Sequence, residues 1–116
     1  MNKINLEFTS QHAGVLIPFF NNELGWIYEW AELTYSDVDY KEVKFLEEAL
    51  VLLRDSVHMD LDVVLTVEDK VKNTLIRLSS NLALIRERTK SVKEFEVYDR
   101  IIEIISNGYK MLGAEV

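Results

Sequence analysis

Apolar side chains recur at helical spacing from Ala13 to Leu33, where the chain has its clearest pattern of hydrophobic and polar positions. One set repeats at intervals of three and four, as in the buried stripe of an amphipathic helix. It consists of Ala13, Ile17, Phe20, Leu24, Ile27 and Ala31. A second set lies about 100° further round the same helix. It consists of Val15, Phe19, Trp26, Trp30 and Leu33. Because a surface helix normally has one apolar stripe, this helix is predicted to be central in its own domain or to contact another subunit.

Pro18 is the irregular position in this predicted helix. Inside a helix, proline removes the hydrogen bond to the residue four positions earlier and crowds its carbonyl. That residue is Gly14, which gives the backbone room to adjust. We therefore predict a kinked helix over residues 10–34, capped by Thr9 or Ser10. The alternative is an irregular start that places Pro18 in the first helical turn.

Two short segments have the pattern of β-strands. Residues 3–8 alternate between apolar and polar side chains, and residues 59–65 lack a helical period and are β-rich at their end. Leu6–Thr9 and Val64–Thr66 are similar and lie about 57 positions apart. One interpretation is an internal repeat of one strand and two helices; if it holds, we expect the strands to pair antiparallel at one end of a pseudo-twofold bundle. The alternative is chance, since strand–turn–helix units look alike in many proteins.

Three further helices follow from apolar periodicity and from capping boxes, in which a serine or threonine precedes an acidic residue by three positions. The second helix is predicted over residues 38–58, with a capping box formed by Ser36 and Asp39. The capping box of the third helix is Thr66 with Asp69, and that of the fourth is Ser91 with Glu94. Gly113 is placed to end the fourth helix, and Gly108 weakens its last turn.

Each of these three helices has a predicted buried face at spacings of three and four. For the second helix it is Val43, Leu46, Leu50, Leu53 and Val57, widened by Phe45, Ala49 and Leu52. For the third it is Val71, Leu75, Leu78, Leu82 and Ile85. For the fourth it is Phe95, Tyr98, Ile102, Ile105, Tyr109 and Leu112. The predicted fold is therefore all-α or nearly so: a single domain over residues 1–116, with four helices, antiparallel neighbours and one or two short strands.

Composition narrows the class of protein. The 116 residues are 48% hydrophobic and 28% charged, as in a globular domain, and they include no cysteine. Disulfides, thiolate zinc sites and thiol nucleophiles are thereby excluded. The longest apolar run, Val15–Phe20, is far shorter than the ~20 residues of a membrane span, and the N-terminus lacks the pattern of a signal peptide. We expect a cytoplasmic protein without membrane contact.

The net charge of −7 is concentrated in the first half of the chain. Residues 1–62 hold twelve acidic and four basic residues, whereas residues 63–116 hold eight acidic and nine basic ones. An acidic domain repels the phosphate backbone, so direct binding of nucleic acid is disfavoured. A protein partner with a basic surface is favoured instead.

Candidate metal and catalytic residues are few. Asp55 and His58 lie on one helical face, but di-iron bundles use a carboxylate–x–x–His motif twice, and the other histidine is His12. His58 with Asp60 and Asp62 has the residue types that hold a hard metal ion, but loops in acidic proteins often have the same composition. Phosphate-binding loops, serine nucleophile elbows and zinc-protease motifs are absent from the sequence. We expect no catalytic residues, no metal, no cofactor and no enzymatic activity.

One family resemblance involves glutamates. Glu29-x-x-Glu32 on the first helix and Glu47-Glu48 on the second resemble part of the motif of the MazG-like nucleotide pyrophosphohydrolases. The resemblance implies an all-helical enzyme that binds magnesium with glutamates from two adjacent helices. The second motif departs from the family pattern, because Leu50 and Val51 stand where an aspartate is needed. This enzyme class is therefore a remote alternative.

The tryptophans carry the main functional hypothesis. Trp26 and Trp30 lie one turn apart, and bulky aromatic residues dominate the energetics of protein interfaces. Six acidic residues surround them in sequence as an acidic rim: Glu23, Glu29, Glu32, Asp37, Asp39 and Glu42. The predicted partner-binding residues are Phe19, Trp26, Glu29, Trp30, Glu32, Leu33, Asp39 and Glu42.

Three interpretations of these aromatics remain open. The first is a protein-interaction module that binds and occludes a basic partner, such as a protein that handles nucleic acid, as immunity proteins, antitoxins and phage-encoded inhibitors do. The second is a structural homodimer with the first helix at its interface. The third is that the tryptophans belong to the core of their own domain.

Overall fold

Four helices and a two-stranded sheet make up the fold. A computed structural model describes residues 3–34 and 40–112, with the side chains of residues 33 and 34 excepted. In chain order the elements are β1 (Lys3–Phe8), α1 (Ser10–Thr34), α2 (Tyr40–Met59), β2 (Val63–Glu68), a single 3-10 turn (Asp69–Val71), α3 (Lys72–Arg88) and α4 (Val92–Leu112). The predicted mostly helical fold, with four helices and short strands, is confirmed. No helix in the described ranges is long and apolar enough to cross a membrane.

The first helix begins at a reciprocal cap formed by Thr9 and His12. The His12 backbone N–H donates to Thr9 Oγ1 (3.2 Å), and the Thr9 N–H donates to His12 Nδ1 (3.3 Å). The histidine thus takes the place of the glutamate in a capping box. The helix then continues through Pro18, which is exposed. The predicted helix over residues 10–34 is confirmed, and the alternative start at Pro18 is wrong.

The two strands pair antiparallel, as predicted, with Lys3 opposite Glu68 and Phe8 opposite Val63. Both strands alternate between buried and exposed side chains, so one face of the sheet belongs to the core. The second strand covers Val63–Glu68, later than the predicted segment 59–65. Helix α2 contacts β2, and helix α4 contacts β1. The internal repeat stays a prediction.

One core joins the inner face of the sheet to all four helices. Its largest fully buried side chains are Phe20, Leu16, Leu46, Leu53, Leu65, Leu75, Leu78, Leu82, Ile101 and Ile105. On α1 the fully buried row includes Leu16 and Glu23, while Ile17 and Leu24 are half-buried. The row of buried residues on α1 thus lies between the two predicted stripes. Helix α1 contacts both α2 and α3.

Several predicted core positions are exposed in the structure. On α2 and α3 these are Leu52, Val57 and Ile85. On α4 the buried row is Ile101, Ile105, Gly108 and Leu112. Phe95 is exposed in the first turn of α4, where the guanidinium of Arg86 covers its ring at 5.6 Å.

The predicted caps have different outcomes. Ser91 caps α4, since the Glu94 N–H donates to Ser91 Oγ (3.4 Å). The cap at Thr66 is wrong, because Thr66 lies in β2, where its hydroxyl donates to Asn5 Oδ1 (3.0 Å). The 3-10 turn after β2 leads into α3, with Val71 at the junction. The predicted caps at Ser36 and Gly113 lie outside the described residues.

Asp60 ends α2 in the left-handed conformation, with φ of 54°. The Leu61 N–H donates to the Ser56 carbonyl (3.1 Å), which is the hydrogen bond of a Schellman motif. The Asp60 carboxylate also accepts a hydrogen bond from Ser10 Oγ at 2.6 Å. The end of α2 is thereby connected to the start of α1.

Candidate functional site

Two stacked tryptophans on the second half of α1 form the most prominent exposed feature of the described residues. Trp26 is 46% exposed and Trp30 is 54% exposed. Their ring centroids lie 6.0 Å apart, and the planes differ by 12°. One helical turn separates the two residues, so their side chains project from the same face. We call this pair the aromatic patch.

Arg77 on α3 contacts the aromatic patch at Trp26. Its guanidinium carbon lies 4.9 Å from the centroid of the Trp26 ring. Its Nε donates to the carboxylate of Glu23, and its Nη2 donates to Glu42 Oε1 (3.2 Å) and Thr74 Oγ1 (3.3 Å). One side chain therefore connects α1, α2 and α3 around a carboxylate that is only 3% exposed, that of Glu23. The indole of Trp26 is held in position by a cation–π contact.

The positive charge of Arg77 is fixed. Burial acts to lower the pKa of Arg77, but the hydrogen bond and charge of Glu23, followed by those of Glu42, outweigh it and raise the pKa above its ordinary value. The guanidinium stays charged at every pH at which proteins fold. The cluster holds two carboxylates and one cation, so it adds one negative charge beside the patch.

The predicted acidic rim divides into two groups. Glu29 and Glu32 are exposed on the same helix as the aromatic patch. Glu23 and Glu42 differ from the prediction, because both are directed at Arg77 and lie largely out of solvent. Among the rim residues that the structure describes, the open carboxylates are therefore the two on α1.

Three other predicted partner-binding residues are not part of the patch as described. Phe19 is half-buried and contacts Tyr98 of α4 edge-on, with centroids 6.4 Å apart. It thus helps to join α1 to α4. The side chain of Leu33 and all of Asp39 lie outside the described residues.

Arg77 is the functional residue that the sequence reasoning missed. It lies 54 positions from Glu23, and no local pattern indicates that pairing. A signal was present on α1, however. The spacing of Leu16, Phe20 and Ile27 places Glu23 on the core face, where a carboxylate needs a cation.

The candidate metal residues do not form a ligand cluster. Within residues 3–34 and 40–112, no three histidine, aspartate or glutamate side chains are grouped as a metal site requires. His58 is exposed near the end of α2, and Asp60 binds Ser10. The glutamates of the MazG-like resemblance, Glu29-x-x-Glu32 and Glu47-Glu48, are exposed and belong to no such group.

In comparisons with protein-family models, curated proteins and solved structures, the chain matches none of them. The chemistry of the site therefore rests on its own residues. Two indoles offer a large apolar contact area with N–H donors at its edge, and two open carboxylates lie on the same helix.

Proposed function

We propose that this protein is a small interaction module that binds a basic surface of another protein through the aromatic patch and covers it. Trp26 and Trp30 supply the apolar anchor, and Glu29 and Glu32 contact basic side chains of the partner. The observation that carries this proposal is the pair of half-exposed, stacked indoles, of which Trp26 is contacted by Arg77. A cytoplasmic location and a role in binding without catalysis, as the sequence predicts, are part of the proposal.

The exposed indole area is large enough to anchor a complex. An aromatic side chain buries 150–250 Å², so the exposed halves of two tryptophans leave roughly 200 Å² uncovered. At ~25 cal/mol per Å², covering that area contributes about 5 kcal/mol before the entropic cost of association. The Arg77 contact fixes Trp26 in advance, so less side-chain entropy is lost on binding.

Charge favours a basic partner over a second copy of the chain. Each copy carries −7, with twelve acidic residues among its first 62. In a twofold homodimer around Trp30, the acidic first halves of the two copies approach one another, and like charges at an interface cost several kcal/mol. A basic surface reverses the sign of this term and accelerates encounter at low salt.

Affinity capture from the source cells tests the proposal, with variants compared in parallel. Trp30→Ala removes half of the anchor, and Glu29→Lys with Glu32→Lys reverses the open rim. The matched control is Glu87→Lys with Glu96→Lys, which makes the same charge change at exposed positions of α3 and α4. We expect the wild type and the control to retain one protein with a basic surface and the two patch variants to lose it.

The association rate with that purified protein provides the second measurement. We expect the rate to fall with added salt for the wild type and to be slow at all salt concentrations for the Glu29→Lys, Glu32→Lys variant. Equal capture and equal rates for patch and control variants reject the proposal. Sedimentation at micromolar concentration distinguishes the homodimer: a stable dimer that Trp30→Ala converts to a monomer favours self-association instead.

A further inference from the structure

A groove between β1 and α4 lies on a different part of the molecule from the aromatic patch. Its volume is about 550 Å³, which falls within the 300–1,000 Å³ of typical small-molecule sites. The apolar part of its wall comes from Leu6 of β1 and from Ile104 and Met111 of α4. We call it the β1–α4 groove.

The charges that line this groove are all positive. Lys3 and Arg100 contribute to the wall, and no aspartate or glutamate among the described residues does. This is unusual in a chain of net charge −7. An adjoining hollow of about 400 Å³ shares Arg100, but its wall includes Glu7 and Asp62. Three further cavities also include at least one glutamate.

Both cations have carboxylate neighbours that lie outside the groove wall. Lys3 Nζ is 3.7 Å from Glu68 Oε1, and Arg100 Nη1 is 3.3 Å from Glu103 Oε1. All four side chains are half-exposed or more, and exposed ion pairs contribute little to stability. A ligand anion therefore displaces these carboxylates at small cost.

Neutral hydrogen-bonding groups complete the wall. Asn5 and Asn107 line the groove on opposite sides, one from β1 and one from α4. Thr66 donates its hydroxyl hydrogen to Asn5 Oδ1, which leaves the NH₂ group of Asn5 as its hydrogen-bond donor. Donors and cations together with an apolar wall suit a molecule with an anionic head and an apolar body.

We propose that the β1–α4 groove binds a small organic carboxylate with an apolar body. The carboxylate binds at Arg100, where the planar guanidinium can donate two parallel hydrogen bonds, and Lys3 adds positive charge to the wall. The apolar body lies along Ile104 and Met111. This site is independent of the aromatic patch and of the protein-binding function proposed above.

Chemical-shift mapping of the full chain with octanoate tests this site. We expect saturable shifts in the backbone amides of residues 3–6 and 100–111, and none from octylammonium, which has the same apolar body and the opposite charge. Acetate tests the anionic head alone and is expected to bind at least about tenfold more weakly than octanoate, because most of the apolar contact is missing. Octyl phosphate tests whether another anionic head is accepted.

Variants connect the shifts to the proposed residues. Lys3→Gln with Arg100→Gln is expected to weaken octanoate binding by about tenfold or more. Asn107→Glu, which adds a carboxylate to the wall and leaves both cations in place, is expected to abolish it. The control Lys44→Gln with Arg54→Gln removes two exposed cations of α2 and is expected to bind octanoate as the wild type does. Thermal melts confirm that each variant is folded.

Three outcomes overturn the proposal. The first is equal shifts from octanoate and octylammonium, which indicate apolar contact alone. The second is a set of shifts centred on Trp26 and Trp30. The third is unchanged octanoate affinity in folded Lys3→Gln, Arg100→Gln and in folded Asn107→Glu.

Discussion

At the scale of single residues, Glu23 is the one buried carboxylate among the described residues, and its charge is compensated by Arg77. Glu23 is almost fully buried on α1, and its partner comes from α3. A buried ion pair is weak evidence of net stabilisation, because two charges lose their hydration. Removal of only one partner is strongly destabilising, since the remaining charge is then buried without compensation.

We therefore expect Arg77→Met to destabilise the protein by about 3 kcal/mol. Urea unfolding followed by circular dichroism measures this loss. Arg54→Met is the control, because Arg54 is exposed on α2, where its guanidinium donates to Asn21 Oδ1 at 3.4 Å. The double variant Glu23→Leu, Arg77→Met removes both charges and is expected to recover most of the loss. A loss below about 1 kcal/mol in Arg77→Met contradicts the role assigned to this pair.

Asp60 has two separate roles, in the backbone and in the side chain. Its positive φ costs about 1–2 kcal/mol for most residues, and its carboxylate accepts the hydrogen bond from Ser10. We expect Asp60→Ala to lose both contributions, and Asp60→Gly to lose only the hydrogen bond because glycine tolerates the conformation. Ser10→Ala measures the hydrogen bond alone. Equal stability of Asp60→Ala and Asp60→Gly in urea unfolding contradicts this assignment.

At the scale of elements, Gly108 determines how closely α4 approaches β1. A Cβ atom at this position lies 2.6 Å from Leu6 Cδ2 and 2.8 Å from Ile4 Cδ1. Both atoms are terminal methyl groups of buried side chains, so at least one of these side chains must shift to admit a Cβ atom. The sequence identifies Gly108 only as a weak point in a helix, whereas the structure shows that it makes room for the sheet.

We expect Gly108→Ala to destabilise the protein by about 1 kcal/mol, although alanine is the better helix former. Overpacking costs 1–3 kcal/mol, and helix propensity returns only about 1 kcal/mol. The matched control is Gly25→Ala on α1, where a Cβ atom meets nothing within 4 Å. That variant is expected to gain up to about 1 kcal/mol. If Gly108→Ala and Gly25→Ala stabilise the protein equally in thermal unfolding, the close approach of α4 to β1 is contradicted.

Local patterns predict the elements well and their neighbours poorly. Strand β1 and helix α1 follow from alternation and from three–four spacing, because both periods depend on nearby residues alone. The Thr66 cap fails because Asn5, 61 positions away, pairs with Thr66 in a strand. The exposure of Trp26 and Trp30 was left open for the same reason: periodicity shows that a helix has two apolar faces, but not which neighbours cover them.

At the scale of the whole molecule, the net charge of −7 determines how stability depends on pH. As pH falls toward 5, an acidic chain loses part of its self-repulsion, which does not by itself reduce stability. A loss of stability in that range therefore requires a specific group. His12 is such a group: burial, and after it the charge of Arg100, lower its pKa, and Asp62 only partly opposes them.

A lowered pKa makes the folded protein prefer the neutral imidazole. Only the neutral ring accepts the Thr9 N–H at Nδ1, so protonation also breaks the cap of α1. In the window between the ordinary pKa of 6.5 and the lower folded value, the unfolded chain binds more protons than the folded one. The contribution of His12 is thus complete above that window and is lost as pH falls through the folded pKa.

We expect the urea midpoint of the wild type to decrease between about pH 7.5 and pH 5, before most carboxylates titrate. His12→Gln keeps a side-chain acceptor for the Thr9 N–H and removes the titration, so its midpoint is expected to change less over this range. His58→Gln removes the exposed imidazole of α2 and is expected to keep the wild-type dependence. If His12→Gln and the wild type decrease in parallel, a group other than the histidine at the start of α1 causes the acid sensitivity.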